Sequence, residues 1–262
     1  MSDTQSAEVL YEVQDGVAII TLNRPEKMNT FSKVVFASFN EMIARFKKDE
    51  NAAVCIITAN GDEAFSAGFD IEAGSNLLSS GNYQDSNQFE LDFMLDDLGG
   101  KPVIWAGFGY CVGQGMALAA WADIRIATAD TRFSLPEAKI GISAVTLPIL
   151  LMDQMGLSQA TYSLLYGGHL DANWGLRSGF LHEVVDREEL LPRALKIAKE
   201  MRQQAPLALQ AHKKLLWAQR TEERQTVLEK GLEFRNKTMY SQDFVEGINA
   251  FLEKRRPTFT GS

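Results

Sequence analysis

The sequence is poor in the residue types that build metal centres and disulfide frameworks. Its 262 residues include two cysteines, Cys55 and Cys111, and three histidines. The cysteines lie far apart in apolar stretches without a C-x-x-C pair, which predicts buried thiols in a reducing, cytoplasmic compartment. None of His169, His182 and His212 belongs to a cluster with the spacing of metal ligands. We therefore expect no metal site and no disulfide framework.

Basic residues are the minority and are unevenly placed. Lysine and arginine total 26 against 34 aspartates and glutamates, which gives a net charge of −8. Residues 1–186 carry 11 basic and 24 acidic side chains, whereas residues 187–262 carry 15 basic and 10 acidic ones. No basic residue occurs between Lys48 and Lys101. This balance argues against a nucleic-acid-binding protein, which usually presents a basic face.

Long apolar runs are scarce as well. Residues 103–122 form one stretch of twenty without a charge, long enough to cross a membrane. The stretch contains Gly107, Gly109, Gly113, Gln114 and Gly115, so a strand, a turn and a helix are expected there instead. Residues 1–8 are polar and do not resemble a signal peptide. We expect no membrane segment.

The hydrophobic pattern alternates between strands and helices over the first 190 residues. A hairpin is predicted at Asp15-Gly16, and Ser32 is the predicted cap of a helix that runs to Lys48. Short buried strands and further helices follow, which predicts a largely parallel, covered α/β sheet. From about residue 186 only helices are predicted. We therefore divide the chain into an α/β core, residues 1–195, and a helical segment, residues 196–262. The predicted strands are 9–13, 17–22, 53–58, 103–106 and 123–127, and the predicted helices include 89–98, 116–120, 194–204, 207–218, 225–239 and 244–254.

Two loops of small residues follow directly after predicted buried strands. The first is Ser66-Ala67-Gly68-Phe69-Asp70, and the second spans residues 109–115. Small residues allow a ligand to approach the backbone, and two N–H groups from such loops can stabilise one oxyanion. An alternative is that these glycines only permit tight turns. No G-x-S-x-G elbow and no phosphate-binding P-loop motif is present.

A set of short motifs occurs in one order over residues 9–256: Asn23-Arg24-Pro25-Glu26, Phe65-Ser66-Ala67-Gly68-Phe69-Asp70-Ile71, Gly113-Gln114-Gly115, Ala122-Asp123-Ile124-Arg125, Phe133-Ser134-Leu135-Pro136-Glu137 and Phe251-Leu252-Glu253-Lys254-Arg255. Together they resemble the enoyl-CoA hydratase/isomerase (crotonase) superfamily. The resemblance implies a ClpP/crotonase-like α/β core of repeated ββα units with a helical C-terminal trimerisation segment. It also implies an acyl-CoA substrate, no separate cofactor, and assembly as a homotrimer or hexamer.

The resemblance assigns the catalytic groups residue by residue. It implies that the backbone N–H groups of Phe69 and Gln114 stabilise a thioester enolate, and that Glu137 is the acid/base. Gln114 stands where the family usually has a glycine. Ala117 stands where hydratases of the family carry a second glutamate. One carboxylate suffices to move a proton between two carbons, so double-bond isomerisation is favoured over hydration.

Two alternatives stay open. The protein could be a hydratase that uses Glu137 with an ordered water or with another acid, such as Asp92, Asp96 or Asp97. It could also be a family member that binds acyl-CoA without catalysis, because both Gln114 and Ala117 depart from the family pattern.

The resemblance also implies a set of substrate-binding positions. Basic residues are expected at the anionic CoA moiety, and the backbone of residues 67–71 is expected to hold adenine and pantetheine. An ion-pair or turn role is favoured for Asp70 and Asp123, and packing for His169, His182 and Trp174. The predicted substrate-binding residues are Arg24, Lys27, Met28, Ala67, Gly68, Asp70, Ile71, Gly113 and Lys254, and the predicted apolar pocket contains Leu77, Leu78, Phe89, Phe93, Met94, Leu147 and Leu151.

Overall fold

The computed structural model describes residues 7–72, 75, 91, 93–204, 206–221, 236 and 239–258. Within these residues, ten strands form two sheets. The larger sheet has the order β1-β2-β3-β5-β7-β10 and the smaller one β4-β6-β8-β9. The strands are β1 Val9–Gln14, β2 Val17–Leu22, β3 Val54–Ala59, β4 Ala64–Ser66, β5 Val103–Gly107, β6 Tyr110–Val112, β7 Ile124–Thr128, β8 Arg132–Ser134, β9 Leu170–Asp171 and β10 Glu183–Val185.

The described helices confirm the predicted mixed α/β architecture. They are α1 Lys33–Lys48, α2 Gln114–Trp121, α3 Thr146–Tyr166, α4 Ala172–Arg177, α5 Leu190–Arg202, α6 Pro206–Thr221 and α7 Gln242–Leu252. The Ser32 hydroxyl accepts a hydrogen bond from Val35 N, as its predicted capping role requires. Every residue of β3 and β5 is buried, because helices and the second sheet cover the larger sheet.

Successive pairs of strands contribute one strand to each sheet. β3 and β4, β5 and β6, and β7 and β8 follow this pattern, and α2 and α3 follow the second and third pairs. The chain therefore contains the expected ββα repeat. β4, β6 and β8 are parallel neighbours in the smaller sheet. Since parallel strands end at the same edge of a sheet, the loops that follow these three strands meet there.

The core joins both sheets. Trp105 of β5 packs edge-on against Phe65, with ring centroids 5.0 Å apart, and lies 6.0 Å from the ring of Phe133. Helix α5 contributes the fully buried Ala194 and Ala198 to the same core. The boundary that we placed after residue 195 thus falls within a helix packed on the larger sheet, and the division into two parts stays a prediction.

One predicted helix is wrong over the residues that the structure describes. Residues 93–95 of the predicted helix 89–98 form a turn, residues 96 and 97 are irregular, and a 3₁₀ turn follows at Leu98–Gly100. The carboxylates of Asp96 and Asp97 accept hydrogen bonds from the N–H groups of Leu98 and Gly99, at 2.6 and 2.8 Å. These local bonds replace the backbone bonds of a helix. Residues 89, 90 and 92 of this predicted helix and most of the predicted helix 225–239 lie outside the described residues.

The twenty uncharged residues 103–122 form β5, β6 and helix α2, so the predicted strand-turn-helix interpretation is confirmed apart from one detail. The second loop, predicted for residues 109–115, contains the short strand β6. Among the described helices, none is long and apolar enough to cross a membrane.

Candidate active site

The loops after β4 and β6 touch at their glycines. Gly68 has a positive φ of 91°, which favours glycine. A Cβ atom placed on Gly68 would lie 3.0 Å from the carbonyl oxygen of Val112 and 3.8 Å from the backbone nitrogen of Gln114. The two predicted donor loops are therefore in direct contact, and the absence of a side chain at Gly68 permits that contact.

The backbone at Phe69 is fixed by Phe31. Phe31 N donates to the carbonyl of Gly68 at 2.8 Å, and Asp70 N donates to the carbonyl of Phe31 at 3.1 Å. Backbone groups alternate in direction along an extended segment, so the N–H of Phe69 points to the side opposite Phe31. Phe69 also lines the main cavity, which makes its N–H a suitable donor to a ligand there.

Gln114, the second predicted donor, lies at the start of a helix. It is the first residue of α2, so its N–H has no carbonyl partner within that helix. The partial positive charge at the helix N-terminus favours an anion at the same place. Gly113 precedes it with φ of 50° and donates its own N–H to the carbonyl of Ser134 at 2.9 Å.

Glu137 comes from the third loop, after β8. It begins a 3₁₀ turn, Glu137–Ile140, which we call the Glu137 turn. Its Oε1 would lie 3.1 Å from a Cβ atom placed on Gly113, so the carboxyl is next to the donor loops. Its Oε2 is buried and makes no hydrogen bond to any described residue. Burial raises the pKa of the Glu137 carboxyl from 4.5 to about 7.

A cavity of about 1300 Å³ opens beside these three loops. Four carboxylates belong to its described lining residues: Glu26, Asp70, Glu72 and Glu137. Glu26 and Glu72 are exposed to solvent, and Asp70 forms an ion pair with Arg24 at 2.8 Å. Glu137 is thus the lining carboxylate that is both removed from water and without a counter-charge. A carboxyl with a perturbed pKa in a cavity is the pattern expected of an acid/base catalyst.

Ala117 lies in the wall of the same cavity, one helical turn beyond Gln114. Its small, 7% exposed side chain contributes no polar group. Asp96 and Asp97, considered above as substitutes for a second acid, do not line the cavity. The carboxylate of Asp96 forms an ion pair with Lys47, and that of Asp97 accepts the Gly99 N–H. Asp92 lies outside the described residues.

The cavity brings together all the predicted site residues except Arg24. Phe69, Gln114 and Glu137 line it, and so do the predicted substrate-binding residues Lys27, Met28, Ala67, Gly68, Asp70, Ile71, Gly113 and Lys254. The guanidinium of Arg24 pairs instead with Asp70 and Glu8, at 2.8 and 3.4 Å. Arg24 therefore stabilises the first donor loop through its ion pair with Asp70 and does not line the cavity. The ion-pair role expected for Asp70 is confirmed by this contact.

Of the predicted apolar pocket, the structure places Met94 and Leu147 in the cavity wall, together with Leu91 and Leu95. Phe93 and Leu151 are buried in the core and do not line the cavity, because Phe93 packs against the rings of Phe39 and Trp121. Leu77, Leu78 and Phe89 lie outside the described residues.

The other titratable candidates have structural partners. The Asp123 carboxylate accepts hydrogen bonds from Val103 N and from the Lys213 ammonium. The Nδ1 atom of His182 accepts the Arg125 N–H at 3.1 Å, and burial lowers the pKa of this imidazole. Trp174 is buried, and the His169 ring packs beside Tyr110. These residues belong to the framework, as the sequence predicted.

The residues of one wall of the cavity were not predicted individually. Helix α7 contributes five of them: Phe244, Gly247, Ile248, Phe251 and Leu252. Their spacing of three, four, seven and eight residues from Phe244 places them on one face of a helix, a signal that was available in the sequence. That signal indicates an amphipathic helix but does not identify what its apolar face covers.

Comparisons with known proteins identify the family. The family model described as enoyl-CoA hydratase/isomerase matches residues 12–262. A trans-2-decenoyl-[acyl-carrier-protein] isomerase of Streptococcus mutans is 29% identical over 97% of this chain and 98% of its own, and a crotonyl-CoA hydratase of Syntrophomonas wolfei is 30% identical over 96% and 97%. The crystal structure of a carnitinyl-CoA hydratase from Mycobacterium avium has a TM-score of 0.87 and 26% identity, covering 98% of this chain and 99% of that one. The chain belongs to the enoyl-CoA hydratase/isomerase family.

Proposed function

We propose that this protein is an enzyme that moves a carbon–carbon double bond within an enoyl thioester, with Glu137 as the acid/base. One observation carries the proposal: among the described lining residues, Glu137 is the carboxylate that has a buried oxygen and no counter-charge, while Ala117 contributes no acid. The name of the Streptococcus mutans relative, an isomerase, supports the same reaction class.

The geometry suits a two-step proton transfer. Ionised Glu137 removes a proton from C2 of a 3-enoyl thioester, and the electron pair moves onto the thioester oxygen. The N–H groups of Phe69 and Gln114 stabilise that negative charge, and one such donor typically contributes about 3–4 kcal/mol. Protonated Glu137 then returns the proton to C4, and the double bond forms between C2 and C3. This reaction consumes no water and requires no second acid.

The cavity supports an uncharged, apolar acyl chain. Leu91, Met94, Leu95 and Leu147 supply the wall beyond Ala117. Lys27 and Lys254 line the cavity and can attract an anionic carrier such as the phosphates of coenzyme A. We propose an acyl-CoA as the substrate and no further cofactor.

We also propose assembly as a homotrimer or hexamer. Helix α3 exposes Leu157 by 66% and Leu165 by 82%, and the stacked rings of Tyr162 and Tyr166 are half exposed beside them. Exposed apolar side chains of this number support burial against another subunit. Analytical ultracentrifugation of the purified chain tests the assembly.

Hydration of a 2-enoyl-CoA is the rival reaction, supported by the name of the Syntrophomonas wolfei relative and by the hydroxyls of Ser143 and Thr146, which line the same cavity and could hold a water. The test supplies 3-enoyl-CoA and 2-enoyl-CoA substrates of several chain lengths to the purified protein and to its Glu137→Gln variant, and identifies products by mass. We expect fast isomerisation, slow hydration, and loss of both in the variant. Fast hydration by the unmodified protein would favour the rival, and coenzyme A ester binding without any turnover would favour a non-catalytic role.

A further inference from the structure

Helix α7 and the Glu137 turn meet backbone to backbone. A Cβ atom placed on Gly247 would lie 2.5 Å from the carbonyl carbon of Ile140 and closer still to its oxygen. A Cβ atom placed on Gly141 would lie 2.6 Å from the carbonyl oxygen of Asp243 and 2.9 Å from Phe244 N. Separations below 3.0 Å are not found for real Cβ atoms, so neither glycine can gain a side chain unless the helix or the turn moves.

The Glu137 turn has little support of its own. It is four residues long, and each of its residues is partly exposed, although the Oε2 atom of Glu137 is buried. The backbone hydrogen bonds of the turn are local ones, from Lys139 N to Pro136 O, from Gly141 N to Ala138 O and from Ile142 N to Glu137 O. A single 3₁₀ turn with these bonds is too short to hold a side chain in a fixed position, so the elements packed against it must supply the rigidity.

Helix α7, in contrast, is stabilised by contacts within its own segment. Ser241 caps its first turn by accepting the Phe244 N–H, and Phe244 and Ile248 are 4% and 1% exposed. Just beyond its last residue the chain turns back, and the Arg255 guanidinium forks onto both carboxylate oxygens of Glu246 at 2.6 and 2.7 Å. The helix is therefore more rigid than the Glu137 turn that it contacts.

We propose that helix α7 holds Glu137 in its catalytic position, with Gly247 as the positioning residue. Close approach at Gly247 fixes the end of the turn at Ile140, and this fixes its beginning at Glu137 beside Gly113. The same helix face, through Phe244, Ile248 and Phe251, closes one wall of the cavity. When helix α7 packs against the Glu137 turn, it thus both completes the cavity wall and fixes the position of the acid/base. The inference rests on the proposed acid/base role of Glu137.

The test compares three variants of the full-length protein: Gly247→Ala, Asn249→Ala and Glu137→Gln. Asn249 is an exposed residue of the same helix and takes no part in the cavity, so it controls for changes to the helix itself. The measurements are kcat and the pH at half-maximal kcat with a 3-enoyl-CoA, and the Kd of a saturated acyl-CoA of the same length by calorimetry.

We expect Gly247→Ala to lower kcat by about tenfold or more, since a misplacement of about 1 Å costs this much or more. We also expect a lower pH midpoint, because a displaced carboxyl gains contact with water. The Kd should change less than kcat, and Asn249→Ala should match the unmodified protein in all three measurements. A Gly247→Ala protein with unchanged kcat and pH midpoint overturns the proposal.

Two further results keep the test decisive. If Gly247→Ala does not fold, Ile248→Val loosens the same face by one methyl group and should shift kcat and the pH midpoint in the same directions by smaller amounts; no shift there overturns the proposal as well. If Glu137→Gln keeps its turnover, the acid/base assignment itself fails. That outcome is distinct from the one in which Glu137→Gln is inactive and the helix variants are normal.

Discussion

The carboxyl of Glu137 lies directly beside the α-carbon of Gly113: a Cβ atom at Gly113 would be 3.1 Å from Oε1. Gly113 also sits one residue before the Gln114 donor, with φ of 50° and ψ of −110°. One residue without a side chain therefore separates the proposed acid/base from the second proposed oxyanion donor. This contact would allow the two groups to act on the same bound thioester.

We expect Gly113→Ala to lower kcat by about 10²-fold, the effect of losing one oxyanion donor, because the methyl group displaces the loop or the carboxyl. The matched control is Gly99→Ala. Gly99 also has a positive φ, of 69°, but a Cβ atom there meets nothing within 4 Å. The control therefore also places a side chain at a positive φ, in the left-handed helical region with ψ of 18°, but without the contact. Equal losses in both variants would contradict the prediction.

The pH dependence of kcat/KM follows from the buried carboxyl. The reaction begins with ionised Glu137, and burial raises the pKa of this group to about 7. The ionised fraction rises with pH through that value, so kcat/KM should rise through about pH 7 and level off above it, being about tenfold below its plateau at about pH 6. Initial rates at subsaturating 3-enoyl-CoA across this range test it. A profile that is flat down to about pH 5 would show an ordinary carboxylate.

The contribution of Glu137 to the free energy of unfolding should fall over the pH range in which kcat/KM rises. The pKa of Glu137 is higher in the folded protein than its ordinary value of 4.5, so the folded state holds this proton more tightly. The stabilisation is present below about pH 4.5 and is lost as the pH rises through about 7. We therefore expect Glu137→Gln to raise the free energy of unfolding by about 2–3 kcal/mol at about pH 8, and by much less at about pH 5.

Denaturant unfolding at both pH values measures this difference. The exposed Glu72 is the control: Glu72→Gln removes a carboxylate from the cavity rim, where it is 77% exposed, and should leave the free energy of unfolding nearly unchanged at either pH. A Glu137→Gln gain of equal size at both pH values would contradict the prediction, because it would not come from titration.

A second acid should change the reaction. Ala117 lines the cavity one helical turn beyond Gln114, so Ala117→Glu places a carboxyl in the same cavity as Glu137. We expect the variant to hydrate crotonyl-CoA faster than the unmodified protein, because hydration uses both a base for water and an acid for carbon. Ala117→Gln has the same size without the carboxyl and is the control. Equal hydration rates in the two variants would rule out this explanation.

The positions of the proposed catalytic groups could be predicted from the sequence because short motifs in a fixed order mark them. Phe69, Gln114 and Glu137 each lie two or three residues after β4, β6 or β8. These three strands could not be predicted from hydrophobic periodicity. Each is three residues long, which is too short to show an alternation of apolar and polar residues. Their existence depends on pairing with one another, which is a property of the fold.

Other features depended on contacts that are distant in the sequence. Arg24 was predicted to contact the substrate because it is basic and lies in a motif. In the structure its guanidinium instead forms an ion pair with Asp70, which is 46 residues away in the sequence. The apolar face of helix α7 could be recognised, whereas its contact at Ile140 could not. In residues 93–98, side-chain bonds from Asp96 and Asp97 overrode a helical pattern of apolar residues.

Lys213 connects helix α6 to the core through two hydrogen bonds. Its side chain is 7% exposed, and its ammonium group donates to Asp123 Oδ2 at 2.8 Å and to the Lys101 carbonyl at 2.7 Å. We expect Lys213→Met to lower the free energy of unfolding by about 2–4 kcal/mol, because Asp123 keeps a partly buried charge without its counter-ion. The double variant with Asp123→Asn should recover part of this loss, since an asparagine oxygen can still accept the Val103 N–H. Denaturant unfolding measures both variants, and kcat of the folded protein should be unchanged because neither residue lines the cavity. A Lys213→Met protein that unfolds like the unmodified one would mean that solvent already screens this pair.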